Sequence, residues 1–332
     1  MNLLQQIILG LWGILPGNYS GITAVGDGVY AIVDDKDQTD GFKLLTLSWD
    51  AARGKVKQAA LTLPEGMTER RNNQTGIYRD CEGIAYFPEA QTLFVTGEAD
   101  QRILEYSLEG RPTGRELAVP AQFGVDRIVP NLGFEALSYN AVQKRFWTTT
   151  EATLKADGPC ATAANPEVIN HLRLLSFDDE LQPSSSYIYA MEPVTARKNK
   201  GQIVHGVPSM IALDDGRLLV MEREAYVARK RLGSFVRIKL FLVDPSQTAP
   251  TALDTPMTQV KGDQVLKKTL VGSFTTRLRL GKLNLANYEG MCLGPKLPDG
   301  RQTLLLIADS QNGSGNRFFH LKDYIRIYTL KL

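Results

Sequence analysis

One short pattern returns five times along the chain. It reads Asn18-Tyr19-Ser20-Gly21-Ile22, Asp80-Cys81-Glu82-Gly83-Ile84, Gly133-Phe134-Glu135-Ala136-Leu137, Val207-Pro208-Ser209-Met210-Ile211 and Asn287-Tyr288-Glu289-Gly290-Met291. Each copy places a Ser or Glu ahead of an aliphatic residue and opens a pair of short apolar runs joined by a turn. In the first unit the runs are 22–25 and 29–33, with Gly26-Asp27-Gly28 between them, a strong hairpin signal. Two more apolar runs follow each hairpin. The fifth unit supplies only one, 324–330, before the chain stops. Self-similar four-strand units mean a β-propeller, because no single unit can bury both its faces.

The expected architecture is therefore all-β: a single β-propeller domain over residues 1–332, with five blades by repeat count and six as the alternative. The strand missing from the last blade has a natural supplier in the N-terminal run 6–11, which would close the ring and remove its exposed edges. The units exceed the ~40–45 residues usual for a blade, so insertions are expected, at 157–170 and 229–234. No helical periodicity of ten or more residues stands out.

Composition removes several classes. Lys+Arg 38 against Asp+Glu 36 leaves a net charge of +2, which gives no nucleic-acid footprint. No apolar run approaches the ~18 residues of a membrane span. The apolar start, 1–12, lacks a basic leader and a small-x-small cleavage site, so it reads as a strand and no signal peptide is recognisable. Cys81, Cys160 and Cys292 show no CxxC spacing. They read as buried or half-buried thiols, with one disulfide plus a free thiol as the alternative in an exported protein.

The chemistry follows from the repeat. In a propeller the first strand of every blade lines the central channel, so Ser20, Glu82, Glu135, Ser209 and Glu289 should form a ring. Three carboxylates aimed at one axis repel unless a cation or protons intervene. Oxygen donors with a formal charge of −3 in a hydratable site suit calcium better than magnesium. A second acid recurs at the end of the second strand of each unit: Asp34 or Asp35, Glu98, Glu151, Glu222 and Asp309. Antiparallel pairing puts these at the same mouth as the motif. They could form an outer shell of the metal or, for Glu98, Glu151 and Glu222, serve as general acid and base.

Cations lie near the motifs in sequence. Arg79, Arg223 and Arg279 are the candidate substrate contacts, with Arg70, Arg71, Arg229, Lys230, Arg231, Arg277 and Lys282 close by. They suit a small anionic substrate such as a phosphate ester. His171, His205 and His320 have no ligand spacing; His205 lies four residues before Ser209, but no nucleophile elbow exists.

The motifs around Glu82, Glu135 and Glu289, with Pro208-Ser209-Met210, 219–223 and 307–309, together resemble the family called "esterase-like activity of phytase", from about Pro16 to the C-terminus. The resemblance implies an exported, periplasmic or secreted protein with hydrolase-like chemistry. The order Ser, Glu, Glu, Ser, Glu is also similar to that of the calcium-activated nucleotidases (apyrases). These are five-bladed propellers in which one Ser or Glu per blade surrounds an axial calcium, here matched by Ser20, Glu82, Glu135, Ser209 and Glu289. Two functions are expected in competition. One is a calcium-dependent hydrolase acting on a phosphoester or ester at the channel mouth. The other is a non-catalytic propeller that binds a ligand or protein and uses the ion structurally. A monomer is expected in either case.

Overall fold

The structure, a computed structural model, describes residues 1–36, 41–65, 78–196, 201–316 and 319–331. Its strands in chain order are β1 (Asn2–Ile8), β2 (Tyr19–Gly26), β3 (Val29–Asp34), β4 (Lys43–Asp50), β5 (Lys55–Thr62), β6 (Cys81–Phe87), β7 (Thr92–Gly97) and β8 (Ile103–Ser107). Then come β9 (Pro112–Glu116), β10 (Phe134–Asn140), β11 (Arg145–Thr150), β12 (His171–Phe177), β13 (Pro183–Ala190), β14 (Gly201–Ala212), β15 (Leu218–Ala228) and β16 (Phe235–Val243). The last are β17 (Lys268–Arg279), β18 (Lys282–Leu283), β19 (Asn287–Lys296), β20 (Gln302–Asp309), β21 (Gly315–Asn316), β22 (Phe319–His320) and β23 (Tyr324–Leu330). Among the described residues the only helices are short 3-10 turns.

The strands form five antiparallel blades: β2-β3-β4-β5, β6-β7-β8-β9, β10-β11-β12-β13, β14-β15-β16-β17 with β18 added at its edge, and β19-β20-β23-β1. This is an all-β, five-bladed β-propeller. The N-terminal strand completes the fifth blade by pairing with β23, Ile7 opposite Ile325. It spans Asn2–Ile8 rather than the expected 6–11, and it ends early because Leu9 to Trp12 leaves the sheet as a 3-10 turn capped by left-handed Gly13. The outer strand of the second blade is Pro112–Glu116, and Leu117 just beyond it is buried. The expected insertion at 157–170 falls in the strand-free link between β11 and β12. Residues 229–234 are no insertion, only the turn between β15 and β16. The extra length of the fourth blade lies in lengthened strands and in the segment 244–267, with three 3-10 turns.

The chain divides into two compact units. Unit 1 is Met1–Thr96, Leu104–Arg115 and Ala286–Leu332; unit 2 is Gly97–Ile103 and Glu116–Leu285. Unit 1 holds the fifth and first blades and most of the second. One apolar cluster joins Ile307, Ile325 and Leu305 to Ile22, Ile32 and Leu45, and another joins Val33 and Phe42 to Ile84, Leu93 and Tyr106. In unit 2, Leu172, Leu174 and Tyr189 pack on Met210, Leu218 and Val220. These residues alternate along their strands, as burial of one sheet face against the next blade requires.

Inside unit 1 the first strands of neighbouring blades meet backbone to backbone. A Cβ at Gly21 would lie 2.3 Å from the Glu82 carbonyl oxygen, and one at Gly290 would lie 2.4 Å from that of Ser20. Only glycine lets β19, β2 and β6 approach this closely. Gly21→Ala and Gly290→Ala should each cost about 1–3 kcal/mol through forced backbone displacement. Thermal melting checks this: a melting temperature unchanged in both variants would contradict the close approach.

Candidate metal centre

The motif strands β2, β10, β14 and β19 each carry a register irregularity at the motif. Between Phe134↔Thr150 and Ala136↔Thr149, Glu135 is the extra residue. Between Tyr288↔Ala308 and Gly290↔Ile307 it is Glu289. In β2 the pair Ser20 and Gly21 faces the single Val33, and in β14 Val207 and Pro208 face the single Glu222. A bulge lets a polar side chain leave the alternation without turning the following aliphatic residue out of the core. It also admits Pro208, which has no amide hydrogen for a ladder.

The second acids sit where antiparallel geometry puts them. Asp309 is opposite Asn287 and Asp34 is opposite Tyr19. The Glu151 amide donates to the Gly133 carbonyl at 2.6 Å, and its own carbonyl accepts from Val207 at 3.0 Å.

In unit 1 these positions crowd carboxylates. Ser20 Oγ donates to Glu289 Oε2 at 3.4 Å, and Asn287 Nδ2 donates to Glu289 Oε1 at 2.7 Å. Carboxylate oxygens of Asp35, Asp80 and Glu82 all lie within 4.8 Å of one another. Lys36 Nζ bridges Asp35 at 2.9 Å and Asp80 at 2.8 Å. The Tyr78 hydroxyl is 2.8 Å from Asp80 Oδ1.

The electrostatic consequences are large. Burial, then the charges of Glu289, Asp35 and Asp323, push Asp309 up to about 9. Burial also pushes Asp35 up to about 6; Lys36 opposes this, while Glu289 and Asp80 add to it. Asp323 rises to about 6 through burial, although the amides of Ser310 and Gly17 bond to it. Asp35 Oδ1 is buried and has no hydrogen-bond partner among the described residues. A cavity of about 690 Å³ adjoins the cluster, lined by Trp12, Asn18, Asp34, Lys36, Lys43 and Thr62 among others. Its volume falls in the usual range for a small-molecule site. Asn18 Nδ2, in its wall, is likewise buried without a partner among the described residues.

Unit 2 treats the equivalent acids differently. Arg223 Nη2 lies 2.6 Å from Glu151 Oε1 and 3.9 Å from Glu135 Oε2. Glu98 Oε1 accepts the Gly133 amide at 2.8 Å. Glu222 accepts from the Tyr189 hydroxyl and from Lys268 Nζ, both at 2.7 Å, and from the Glu192 amide. Ser209 is buried in its strand. The candidate catalytic acids of this unit are thus held by fixed donors. His205 is buried, its Nδ1 has no partner among the described residues, and burial followed by the charges of Lys239 and Lys268 pushes it down to about 3. It is a neutral imidazole near neutrality.

The three candidate substrate arginines separate. Arg79 is 1% exposed and donates to the Val95 carbonyl and the Tyr106 hydroxyl, inside its blade. Arg223 serves Glu151. Arg279 is exposed at the end of β17. Glu222 pairs with Lys239, and Lys239 pairs with Ser273, so Arg279 stands six residues beyond the level of Glu222. At ~3.3 Å per residue that is about 20 Å along the strand. Arg70 and Arg71 lie outside the described residues. Sequence reasoning missed Lys36, Asp80 and Asn287. Asp80 stands within its motif, in the slot filled by Asn18 and Asn287 in two other copies, and its left-handed φ of 53° marks the turn into β6. The three cysteines are free.

A family model described as "Phytase-like: Esterase-like activity of phytase" matches residues 14–311, nearly the whole chain. The chain belongs to that family. No curated protein matches it in sequence. Among solved structures it is similar to an endo-arabinase from Bacteroides thetaiotaomicron at 11% identity and a TM-score of 0.44, covering 98% of this chain and 97% of that one. It is also similar to an auxiliary nutrient binding protein from Bacteroides thetaiotaomicron at 8% identity and a TM-score of 0.38, covering 96% and 70%. A nidogen/laminin complex gives 11% identity and a TM-score of 0.34, covering 79% and 86%. Likenesses this distant say nothing about activity.

Removing Arg223 leaves Glu151 charged and buried. Arg223→Met should cost about 3–5 kcal/mol, and adding Glu151→Gln should recover a good part of it. Denaturant unfolding of the two single variants and the double variant checks the pair; equal losses with no recovery would contradict it.

Proposed function

We propose that the protein is a calcium-dependent, hydrolase-like propeller acting on a phosphoester or ester held in the cavity beside the acid cluster of unit 1. The observation that carries this reading is the crowding of acids there, with carboxylate oxygens of Asp35, Asp80 and Glu82 within 4.8 Å of one another. Asp35, Asp80, Glu82, Glu289 and Asp309 share one region, and Lys36 bridges two of them. The donor set fits a hard divalent ion: several carboxylates, a hydroxyl, and a buried carboxylate oxygen of Asp35 without a partner among the described residues. Ser20, Glu82 and Glu289 would hold it, with Asp35 and Asp309 beside them. Glu135 and Ser209 occupy the equivalent repeat positions in unit 2, where Arg223 lies 3.9 Å from Glu135. When bound, the ion supplies charge that polarises a phosphoryl or carbonyl oxygen.

The chain's own groups divide the remaining work. Asp35, with a buried oxygen that has no partner among the described residues, is placed to accept a proton beside the ion. Lys36 and Lys43 line the cavity, Lys36 paired with Asp35 and Asp80 and Lys43 with Asp34 at 3.0 Å, so an anionic substrate would meet their remaining N–H donors, and Trp12 gives the wall an apolar face. Glu98, Glu151 and Glu222 hold their surroundings through the donors they accept. The reading keeps the expectation of an exported monomer.

A panel of phosphoester and carboxylester substrates, assayed with calcium and with chelator, tests the reading. Calcium-dependent turnover that is reduced in Asp35→Asn supports it. A melting temperature lowered by chelator, with no turnover on any substrate, would leave a binding propeller with a structural ion.

Stability should also report the ion. The folded-state values of Asp309 and Asp35 lie above the ~3.9 of an unfolded aspartate. The proton therefore stabilises the fold, and this contribution is lost as pH rises from about 4 through about 9. In chelator the melting temperature should fall over that window. In calcium, which takes the place of the protons, the fall should be smaller, and Glu289→Gln should lessen the difference between the two curves. Superimposable curves in calcium and chelator would argue against the ion.

A further inference from the structure

The fourth blade projects. Its four main strands run 9–12 residues, against 5–8 in the first three blades. The extra length carries two tight turns, 229–234 and 280–281, to one end. They sit side by side: the Gly233 amide donates to the Leu278 carbonyl at 2.7 Å, and the Leu278 amide donates to the Ser234 carbonyl at 2.9 Å. The Ala228 amide bonds to Ser234 Oγ at 3.0 Å, and the Arg277 amide bonds to Asn284 Oδ1 at 3.1 Å. The tip is therefore an ordered β-tongue.

This tip exposes large apolar side chains together: Leu280 at 86%, Leu283 at 55%, Leu232 at 53% and Val227 at 47%. Arg229, Lys230, Arg231 and Arg279 are exposed among them. Residues 225–243 and 264–288 contain no Asp or Glu at all, in a chain whose total charge is only +2. Exposed aliphatics on rigid turns, ringed by unopposed cations, are costly in water and complementary to one kind of surface. The apolar tips fit the headgroup boundary of a bilayer, and the cations fit lipid phosphates. The substrate-contact role expected of Arg279 does not use these features.

We propose that the tongue of the fourth blade docks the protein peripherally on an anionic phospholipid surface. Leu232, Leu280, Leu283 and Val227 enter the headgroup region, and Arg229, Lys230, Arg231 and Arg279 meet the phosphates. No helix among the described residues is long and apolar enough to cross a membrane, so the contact stays at the surface.

Vesicle sedimentation with the full chain tests this. Vesicles of phosphatidylcholine with about one-third phosphatidylglycerol should bind the protein at low salt, and pure phosphatidylcholine should bind it at least about tenfold less. Leu232→Ser with Leu280→Ser, and separately Arg229→Gln with Arg231→Gln and Arg279→Gln, should each weaken binding about tenfold or more. These positions are exposed, so the melting temperature should not change. Absence of binding to the anionic vesicles would overturn the proposal. So would undiminished binding of the leucine variant, which would reduce the tip to a charge patch suited to an acidic protein. Self-association through the tip without vesicle binding would overturn it in favour of a second copy of the chain.

Discussion

Crowding of carboxylates is the constraint on which the functional half of this structure depends. Two like charges ~4 Å apart cost on the order of 1 kcal/mol in water and several times that where water is partly excluded. In unit 1 the protein accepts that cost repeatedly, with Asp309 buried beside Glu289 and Asp35 beside Asp80. In unit 2 it avoids the cost, giving Glu151 an arginine and Glu222 a lysine and a tyrosine hydroxyl. The same repeat position is thus built in two electrostatic styles. In unit 2 the donors fix the geometry of each acid; in unit 1 Lys36 is shared between Asp35 and Asp80, and Asp309 lies buried beside Glu289.

The strands make the crowding possible. A regular first strand would send Glu135 or Glu289 to one face and force the next aliphatic residue to follow the alternation. The extra residue at each bulge uncouples the two, so the motif can aim a carboxylate out of the ladder and still insert Leu137 or Met291 into the core. Gly21 and Gly290 then let adjacent first strands close up until one strand's carbonyl touches the next strand's Cα. The aim of the motif side chains and the packing of the blades are therefore not independent features of this chain.

Much of this is legible in sequence, because repetition is a stronger signal than any single motif. Five copies in phase determine the blades, the hairpins and the N-terminal strand's place beside β23. Legibility fails where physics is not periodic. Residues 244–267 carry no repeat signature, so the sequence alone puts the extra length of the fourth blade in a six-residue turn. Arg79 and Arg223 read as ligand contacts because sequence shows charge and not direction; burial turns both inward, one to Val95 and Tyr106 and the other to Glu151. Lys36 escapes notice because its importance lies in bridging two acids, which appears only when Asp35 and Asp80 meet in space.

The distribution of charge carries the argument one step further. A nearly neutral chain suggests no long-range electrostatic preference, and for the total of +2 that holds. The total conceals a separation. Acids gather in unit 1 around Asp35 and Asp309, while the tongue of unit 2 has cations and no acid in 225–243 or 264–288. The acid cluster is compact and oxygen-rich, which suits the small hard cation proposed for it. For the tongue the counter-charge must be extended and must also accept leucine, which excludes a small ion and leaves a surface with both anionic and apolar character.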